Sequence, residues 1–529
     1  MKVLIIFLLL FNCSLLYSKQ ENIDIKSLLE SGKFEIAKNK INNISDVYLK
    51  NYYNALYHLY LGDYQTAENY ILEISSIPLL DDEKQFFLEY IPLLNKILSN
   101  GYMSFDSEHF KVMLKGRDII LKDYILEKLE DIYSKYKELF LYAAEDKVRV
   151  EVYNTKDEFA FASTLGKENV EKAGVVGICK FNRIMILSPE NLPFGYRWCD
   201  TLAHEYIHFI LNRITEFTYP LYLHEGTARY FDTLYRSENS LYLTAGNANL
   251  LLDAKKNNKL IKFKDLKGSL VYLDSQQQVE LAFSEVASFV EFLISSYGKE
   301  KFIQFVYSYK KYSNNEDKLY LDIFKTNFEK ILNMWEDFID TKEEISKLYS
   351  GAKPDFKFFS VGSENILIGL DTKQYIELGD KFLANRNYKA ALYQYKKAQQ
   401  QENFNPVVLT RIAKINFLLK NYNEAENILQ ECIKANPNYV NSYELLVKIY
   451  YEKGEYEKIF DVFRNILEIN PFNYEIRNIV AEVYADLGKI KEAVKEYEVV
   501  SILNPSDTKT KTILDSLKRY LEMKNSLKK

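Results

Sequence analysis

Apolar and polar positions along the chain follow more than one period, and each period predicts a different kind of element. From about residue 372 to 523 the apolar residues recur at helical spacing in paired segments, and the pairs repeat every 34 residues. The signature positions are Tyr388-x-x-Ala391, Tyr422-x-x-Ala425, Tyr456-x-x-Ile459 and Ile490-x-x-Ala493. Three pairs close on Asn-Pro, at Asn436-Pro437, Asn470-Pro471 and Asn504-Pro505, and Gly454 and Gly488 mark the turns inside their pairs. In the first pair the proline, Pro406, comes three residues late. A final amphipathic stretch, Thr508 to Met523, caps the apolar face that the last pair leaves open.

This array resembles tetratricopeptide repeats, in which a small residue lets paired helices cross closely and proline ends the second helix. A fainter echo lies near the start, where Gly32-Lys33-Phe34-Glu35-Ile36-Ala37 and Gly62-Asp63-Tyr64-Gln65-Thr66-Ala67 stand 30 residues apart. Residues 19–100 therefore read as helical hairpins of the same class. An unrelated helical bundle is the alternative, because no Asn-Pro terminator appears there.

Between the two, residues 101–350 mix both periods. Ile119 to Leu141 is a long amphipathic helix, and Val148 to Tyr153 alternates as a half-buried strand does. Gly174 and Gly177 precede a second strand, Ile178 to Ser188, that ends at Pro189. Thr201 to Leu211 is helical with Asp200 as its N-cap. The region closes in helices over Glu280 to Tyr297 and about Leu319 to Leu348. A Gly/Pro-punctuated linker, 351–371, leads into the repeat domain at 372–523. The expected fold class is multidomain and mostly α, with one α+β unit between helical hairpins and an α-solenoid.

A chain of 529 residues is too long for one core and fits about three domains. Its 47% hydrophobic and 27% charged content is that of a globular protein. A formal net charge of −5, with no basic block before the short Lys-rich tail, argues against a nucleic-acid partner. Residues 1–18 read as a secretory signal, with Lys2 as the positive charge and Val3 to Phe11 as an apolar run too short to span a bilayer. Cleavage after Ser18 releases a soluble chain. The competing outcome is lipidation, because Leu10-Phe11-Asn12-Cys13 resembles a loose bacterial lipobox that would anchor the protein to a membrane through Cys13. Either way the protein is expected outside the cytoplasm, periplasmic or envelope-associated, or else secreted. Cys179, Cys199 and Cys432 are too few for a disulfide framework. A Cys179–Cys199 pair is conceivable, with buried free thiols as the plainer reading.

The chemistry-bearing segment is His204-Glu205-Tyr206-Ile207-His208. Residues four apart share a helix face, so both imidazoles reach one ion, while Glu205 stands beside it as a candidate general base. The chain has only five histidines, which makes this spacing informative. Two histidines do not hold a catalytic zinc; a third protein ligand is needed, with the fourth position left for water. Glu225, 17 residues after His208 in Leu221-Tyr222-Leu223-His224-Glu225-Gly226-Thr227-Ala228-Arg229-Tyr230, supplies it. His224 and Glu216 compete for that role, but His224 points about 100° away from Glu225 on a helix.

Here the sequence resembles the gluzincin zinc metallopeptidases, in particular the peptidase MA-like group, over roughly residues 105–345. In that group HExxH is followed by W-L-x-E-G-x-A, so Glu225, Gly226 and Ala228 correspond to the ligand, the glycine and the alanine, with Tyr222 where Trp is usual. The resemblance implies Zn2+ held by His204, His208 and Glu225. It also implies Glu205 as the base that takes a proton from water and returns it to the leaving amine. Ala282 to Leu293 resembles the helix that follows in the group, but Phe283 stands where a tyrosine is common. Asp232, seven positions past Glu225, is placed to accept from a ligand imidazole, and Arg229 lies on the same face; a plain surface salt bridge is the alternative for either residue. Arg229, Tyr230 and Tyr272 are candidate oxyanion donors. The strand at Ile178 to Leu187 is a candidate edge for an extended peptide. No Gly-x-Met-Glu-Asn segment occurs, so endopeptidase action is the default.

Three functional readings follow. The first is an exported zinc metallopeptidase whose repeats recruit a protein partner or substrate. The second is a catalytically inactive envelope scaffold that retains the peptidase fold, and the third is a zinc hydrolase with another substrate.

Overall fold

The structure is a computed structural model that describes residues 25–526, apart from 76–80, 238–241, 264–265, 267–269, 271–272, 313–314, 358–359 and 361–366. The expected signal segment, Cys13 and Tyr272 lie outside the described residues. Five helices open it: α1 (Ile25–Glu30), α2 (Phe34–Asn42), α3 (Val47–Leu61), α4 (Tyr64–Glu73) and α5 (Asp82–Ser99). Gly62, in the left-handed region at φ 74°, ends α3, and Asp63 caps α4 by accepting from the Thr66 amide.

A five-stranded sheet follows, from β1 (Tyr102–Asp106), β2 (Phe110–Lys115), β3 (Val148–Tyr153), β4 (Gly177–Lys180) and β5 (Arg183–Leu187). The order is β1-β2-β3-β5-β4, so β1 and β4 are its edges. β2, β3 and β5 run parallel, and both edge strands are antiparallel to their neighbours. The sequence pattern expects one strand from Ile178 to Ser188; the chain instead folds back on itself. Phe181 and Asn182 both have positive φ, 53° and 59°, the conformation of a two-residue hairpin turn. A bulky residue at positive φ is strained, and Phe181 is held there by packing against Tyr60, Phe87 and Tyr90. β1 and β2 are not in the sequence reading, since Val112, Met113 and Leu114 are all buried and break the alternation that marks a strand.

The helices of the central unit are α6 (Lys122–Phe140), α7 (Lys156–Ser163), α8 (Lys167–Ala173), α9 (Trp198–Thr215), α10 (Leu221–Phe231), α11 (Ala245–Lys256) and α12 (Gln276–Tyr297). After them come α13 (Lys299–Tyr312), α14 (Glu316–Phe324), α15 (Phe328–Phe338) and α16 (Glu343–Leu348). The single helix expected over Leu319 to Leu348 is thus broken. Lys325 turns left-handed at φ 62°, and Asn327 caps a fresh start by accepting from the Lys330 amide. Asp200 is not the N-cap of the HExxH helix, which begins earlier with Arg197 at that position. Inside the helix, Asp200 accepts from Tyr235 and Arg236, each at 2.9 Å.

The repeat domain is α17 (Leu370–Ala384), α18 (Tyr388–Gln401), α19 (Pro406–Leu418), α20 (Tyr422–Ala435), α21 (Val440–Lys453), α22 (Tyr456–Ile469), α23 (Tyr474–Asp486) and α24 (Ile490–Leu503), closed by α25 (Thr508–Ser526). Pro406 is not a late terminator. It occupies the first turn of α19, where its missing N–H costs nothing, after Asn405 as N-cap.

One continuous apolar cluster runs through α1–α5, the sheet and the central helices, and it includes Phe472 and Leu503 from the repeats. Cys179, Cys199 and Cys432 are free thiols. Among the described residues no helix is long and apolar enough to cross a membrane.

Candidate active site

Helix α9 carries the HExxH face against the sheet, and α10 returns alongside it. His204 and His208 stand edge to face with ring centroids 4.6 Å apart. Glu225 projects from α10 so that its Oε2 lies 3.4 Å from His204 Nε2 and 3.3 Å from His208 Nε2. One donor atom from each residue falls within 4.8 Å of the others. An ion bonded at about 2.0–2.1 Å in a tetrahedral site needs its ligands about 3.3–3.4 Å apart. The two imidazole nitrogens and one carboxylate oxygen are the donor types zinc takes in an open site, so these residues fit such an ion.

Two glycines explain how the elements come so close. At Gly226 an added Cβ would stand 2.4 Å from the Val286 carbonyl oxygen, so α10 and α12 cross backbone to backbone. At Gly177 it would meet Thr201 Cγ2 at 2.4 Å and Glu205 Oε1 at 2.9 Å. The edge strand therefore lies directly on the helix at the candidate base. The Cys179 amide donates to Glu205.

The electrostatics match a site shaped for a cation. Burial works against charging His204, but its hydrogen bonds to Asp232 and Glu225 outweigh that and lift its pKa to about 10. Burial likewise penalises the Glu225 carboxylate, yet His208 and His204 together hold it far below the usual carboxylate range. Burial, aided by Glu225, raises Glu205 above the ordinary glutamate value against the pull of both histidines.

Behind the three donors stand two supports. Asp232 Oδ2 lies 3.3 Å from His204 Nδ1 and takes Arg229 Nη1 at 3.1 Å. His224 does not join the ligand cluster. It stacks on His208 at 4.6 Å, with its Nδ1 2.5 Å from His208 Nδ1 and its Nε2 2.9 Å from Asn212 Oδ1. A carbonyl oxygen only accepts, so His224 Nε2 carries the proton and its Nδ1 accepts from His208. That leaves His208 Nε2 free to face the site. Burial and the neighbouring His208 push the His224 pKa down to about 3, so it stays neutral. Asn212 is absent from the sequence reading, although its place one turn past His208 on the same face was a signal.

The remaining candidates fall elsewhere. Tyr230 packs on Tyr242 and Phe231 at 5.1 and 4.8 Å. The Arg229 guanidinium is occupied by Asp232, with Glu280 and Asp355 nearby. Glu216 pairs with Lys33 and Lys310. Phe283 does face the site, with its ring edge-on to His204 at 5.9 Å. Tyr222, in the place of the usual Trp, stacks on Phe263 at 5.1 Å and reaches the Tyr320 hydroxyl at 3.0 Å.

Comparison with known proteins agrees with this architecture. Residues 134–341 match the family model described as the Peptidase MA superfamily, and residues 382–449 match a tetratricopeptide repeat model. The chain thus contains a peptidase MA superfamily domain and C-terminal tetratricopeptide repeats. No curated protein matches it. Solved structures similar to part of the chain include "MamA 41-end from Desulfovibrio magneticus RS-1", at 15% identity over 29% of this chain and 88% of that one, TM-score 0.27. Another is "Crystal structure of YrrB: a TPR protein with an unusual peptide-binding site", at 16% identity over 28% and 76%, TM-score 0.26. At such scores neither likeness carries an argument about this chain.

Proposed function

We propose that this protein is an exported zinc metallopeptidase that cleaves peptide bonds internally, with its repeats recruiting a protein partner or substrate. The carrying observation is the convergence of His204 Nε2, His208 Nε2 and Glu225 Oε2 at 3.3–3.4 Å with Glu205 alongside. A zinc ion held by these three residues supplies a Lewis acid and a water of lowered pKa. Glu205, ionised, takes one proton from the attacking water and delivers it to the nitrogen of the broken peptide bond, returning to its starting state. Asp232 and His224 hold the two imidazoles with their Nε2 atoms turned inward. The outer edge of β4 offers Ile178 to Lys180 to an extended peptide beside Glu205. Export rests on the N-terminal charge and apolar run, with anchoring through Cys13 as the alternative to cleavage after Ser18.

The deciding experiment pairs metal analysis with two variants. Wild type is expected to bind about one zinc per chain. Glu205→Gln keeps the metal and loses peptide cleavage, whereas Glu225→Ala loses the metal. Metal-free wild type after gentle purification would sink the reading. One observation favours the inactive scaffold instead: Phe283 brings a hydrocarbon edge where the resembled group often brings a hydroxyl. Zinc-loaded protein inert against broad peptide libraries would decide for it.

A further inference from the structure

The stretch that delivers the HExxH helix is gripped by the repeat array. The Tyr196 amide donates to the Ile469 carbonyl at 3.0 Å, and the Trp198 indole donates to the Leu467 carbonyl at 2.8 Å. Between them Arg197 is 8% exposed and donates to Glu468 and Asn438 at 2.8 Å, and to Asn465 and the Pro437 carbonyl at 3.1 Å. Gly195 turns left-handed at φ 64°, and a Cβ there would stand 2.0 Å from the Ile469 carbonyl oxygen. So intimate an approach demands glycine. Every one of these array groups lies at the turn between the second and third repeats or at the end of the third. Helix α9, meanwhile, has no side-chain cap of its own; Arg197 holds the N-cap position and spends its side chain on the repeats.

We propose that the repeat array is part of the peptidase scaffold as well as a recruiting surface, and that Arg197 is a positioning residue through which the array sets the start and tilt of α9. His204 lies seven residues past Arg197, about 10 Å along the helix axis and on the same face. Swinging the anchored end by about 5° displaces the imidazole by about 1 Å, beyond the roughly 0.5 Å that a preorganised site tolerates. The edge of the array at Asn438 and Glu468 is therefore already occupied, by its own peptidase domain. An outside partner must use the other faces of the repeats.

The inference rests on the zinc reading above for one of its two tests, and the second test is independent of it. In the full-length protein, Asn438→Ala combined with Glu468→Ala removes two acceptors of Arg197 from the repeat side, together with the bond that Glu468 takes from Tyr124 of α6 at 3.3 Å and the one between Asn438 and Asp355. Zinc release to a chelator is expected to quicken about tenfold or more, in the range seen when groups supporting metal ligands are lost. Amide exchange over Trp198–His208 should rise with it, while exchange in α23 and α24 stays at the wild-type rate. Glu468→Gln, which keeps an acceptor oxygen, restores most of the difference. Asn478→Ala, which removes a bond to Glu482 inside the array, leaves both readouts within about twofold of wild type. Wild-type zinc release and α9 exchange in the double variant would overturn the proposal, as would equal acceleration in Asn478→Ala. If wild type binds no zinc, the zinc reading fails and the exchange comparison alone decides this one.

Discussion

At the level of single residues, the two ligand histidines are supported by unlike partners. His204 has a carboxylate behind it, Asp232, itself neutralised by Arg229. His208 has a neutral imidazole, which orients it without adding another negative charge to a buried site already holding Glu205 and Glu225. His224→Ala should therefore weaken zinc binding about 10–100-fold, and His224→Asn, which keeps an acceptor, should recover most of that, as read by chelator competition. Equal weakening by both would mean that packing, rather than the hydrogen bond, is what His224 contributes. Gly177→Ala places a methyl on Thr201 and Glu205; peptide turnover should fall by at least about tenfold while the fold survives, measured on zinc-loaded protein. The sequence placed His204, Glu205 and His208 on one helix face by spacing, because helix geometry is local, and pointed to Glu225 through the resemblance to the gluzincins. It left His224 as a rival ligand, because the side of a helix that meets the neighbouring helix is settled between helices.

At the level of elements, close crossings and buried carboxyls carry the sharpest consequences. Gly226→Ala forces α10 away from the Val286 carbonyl and should cost about 1–3 kcal/mol, seen as a lowered urea midpoint with unchanged slope. Asp118 and Glu285 are carboxyls whose pKa values burial raises to about 7 and about 8, although Ser188 and the Ile261 amide pull them down. Both stay protonated in the fold where the unfolded chain has already ionised. Their stabilisation is complete below the ordinary carboxyl range and is lost as pH rises through about 7 and 8, at about 1.4 kcal/mol per unit for each group. Thermal midpoints should accordingly decline from pH 5 to pH 8, and Asp118→Asn should flatten part of that decline. Repeat helices were legible to within a few residues, since their period of 34 is written in apolar positions and Asn-Pro steps. The β4–β5 hairpin was not, because its turn is Phe181-Asn182, and a phenylalanine at positive φ is tolerated only through contacts with α3 and α5.

Across the whole molecule, the N-terminal helices hold the sheet through a buried charge network. Glu151 is fully buried and takes Arg149 at 2.7 Å and Arg183 at 3.1 Å, while Arg183 also donates to Tyr64 at 3.0 Å and Tyr90 at 2.7 Å. Removing the carboxylate leaves two guanidinium groups without their partner at this junction. Glu151→Ala should therefore cost about 3–5 kcal/mol in denaturant unfolding, and α1–α5 should lose exchange protection together with the sheet. Selective loss of the helices with an intact sheet would contradict a shared core.

What the sequence determined by itself is whatever depends on local pattern: the HExxH face, the helical periodicity of the repeats and the glycine turns. What tertiary structure alone decided depends on chain segments far apart. Asn212 locks His224 behind His208, and the repeats some 240 to 270 residues downstream, rather than Asp200, hold the start of α9. The reason is physical: periodicity reports which residues share a face, while the groups a face meets are chosen by packing, and packing leaves no fixed spacing in the chain.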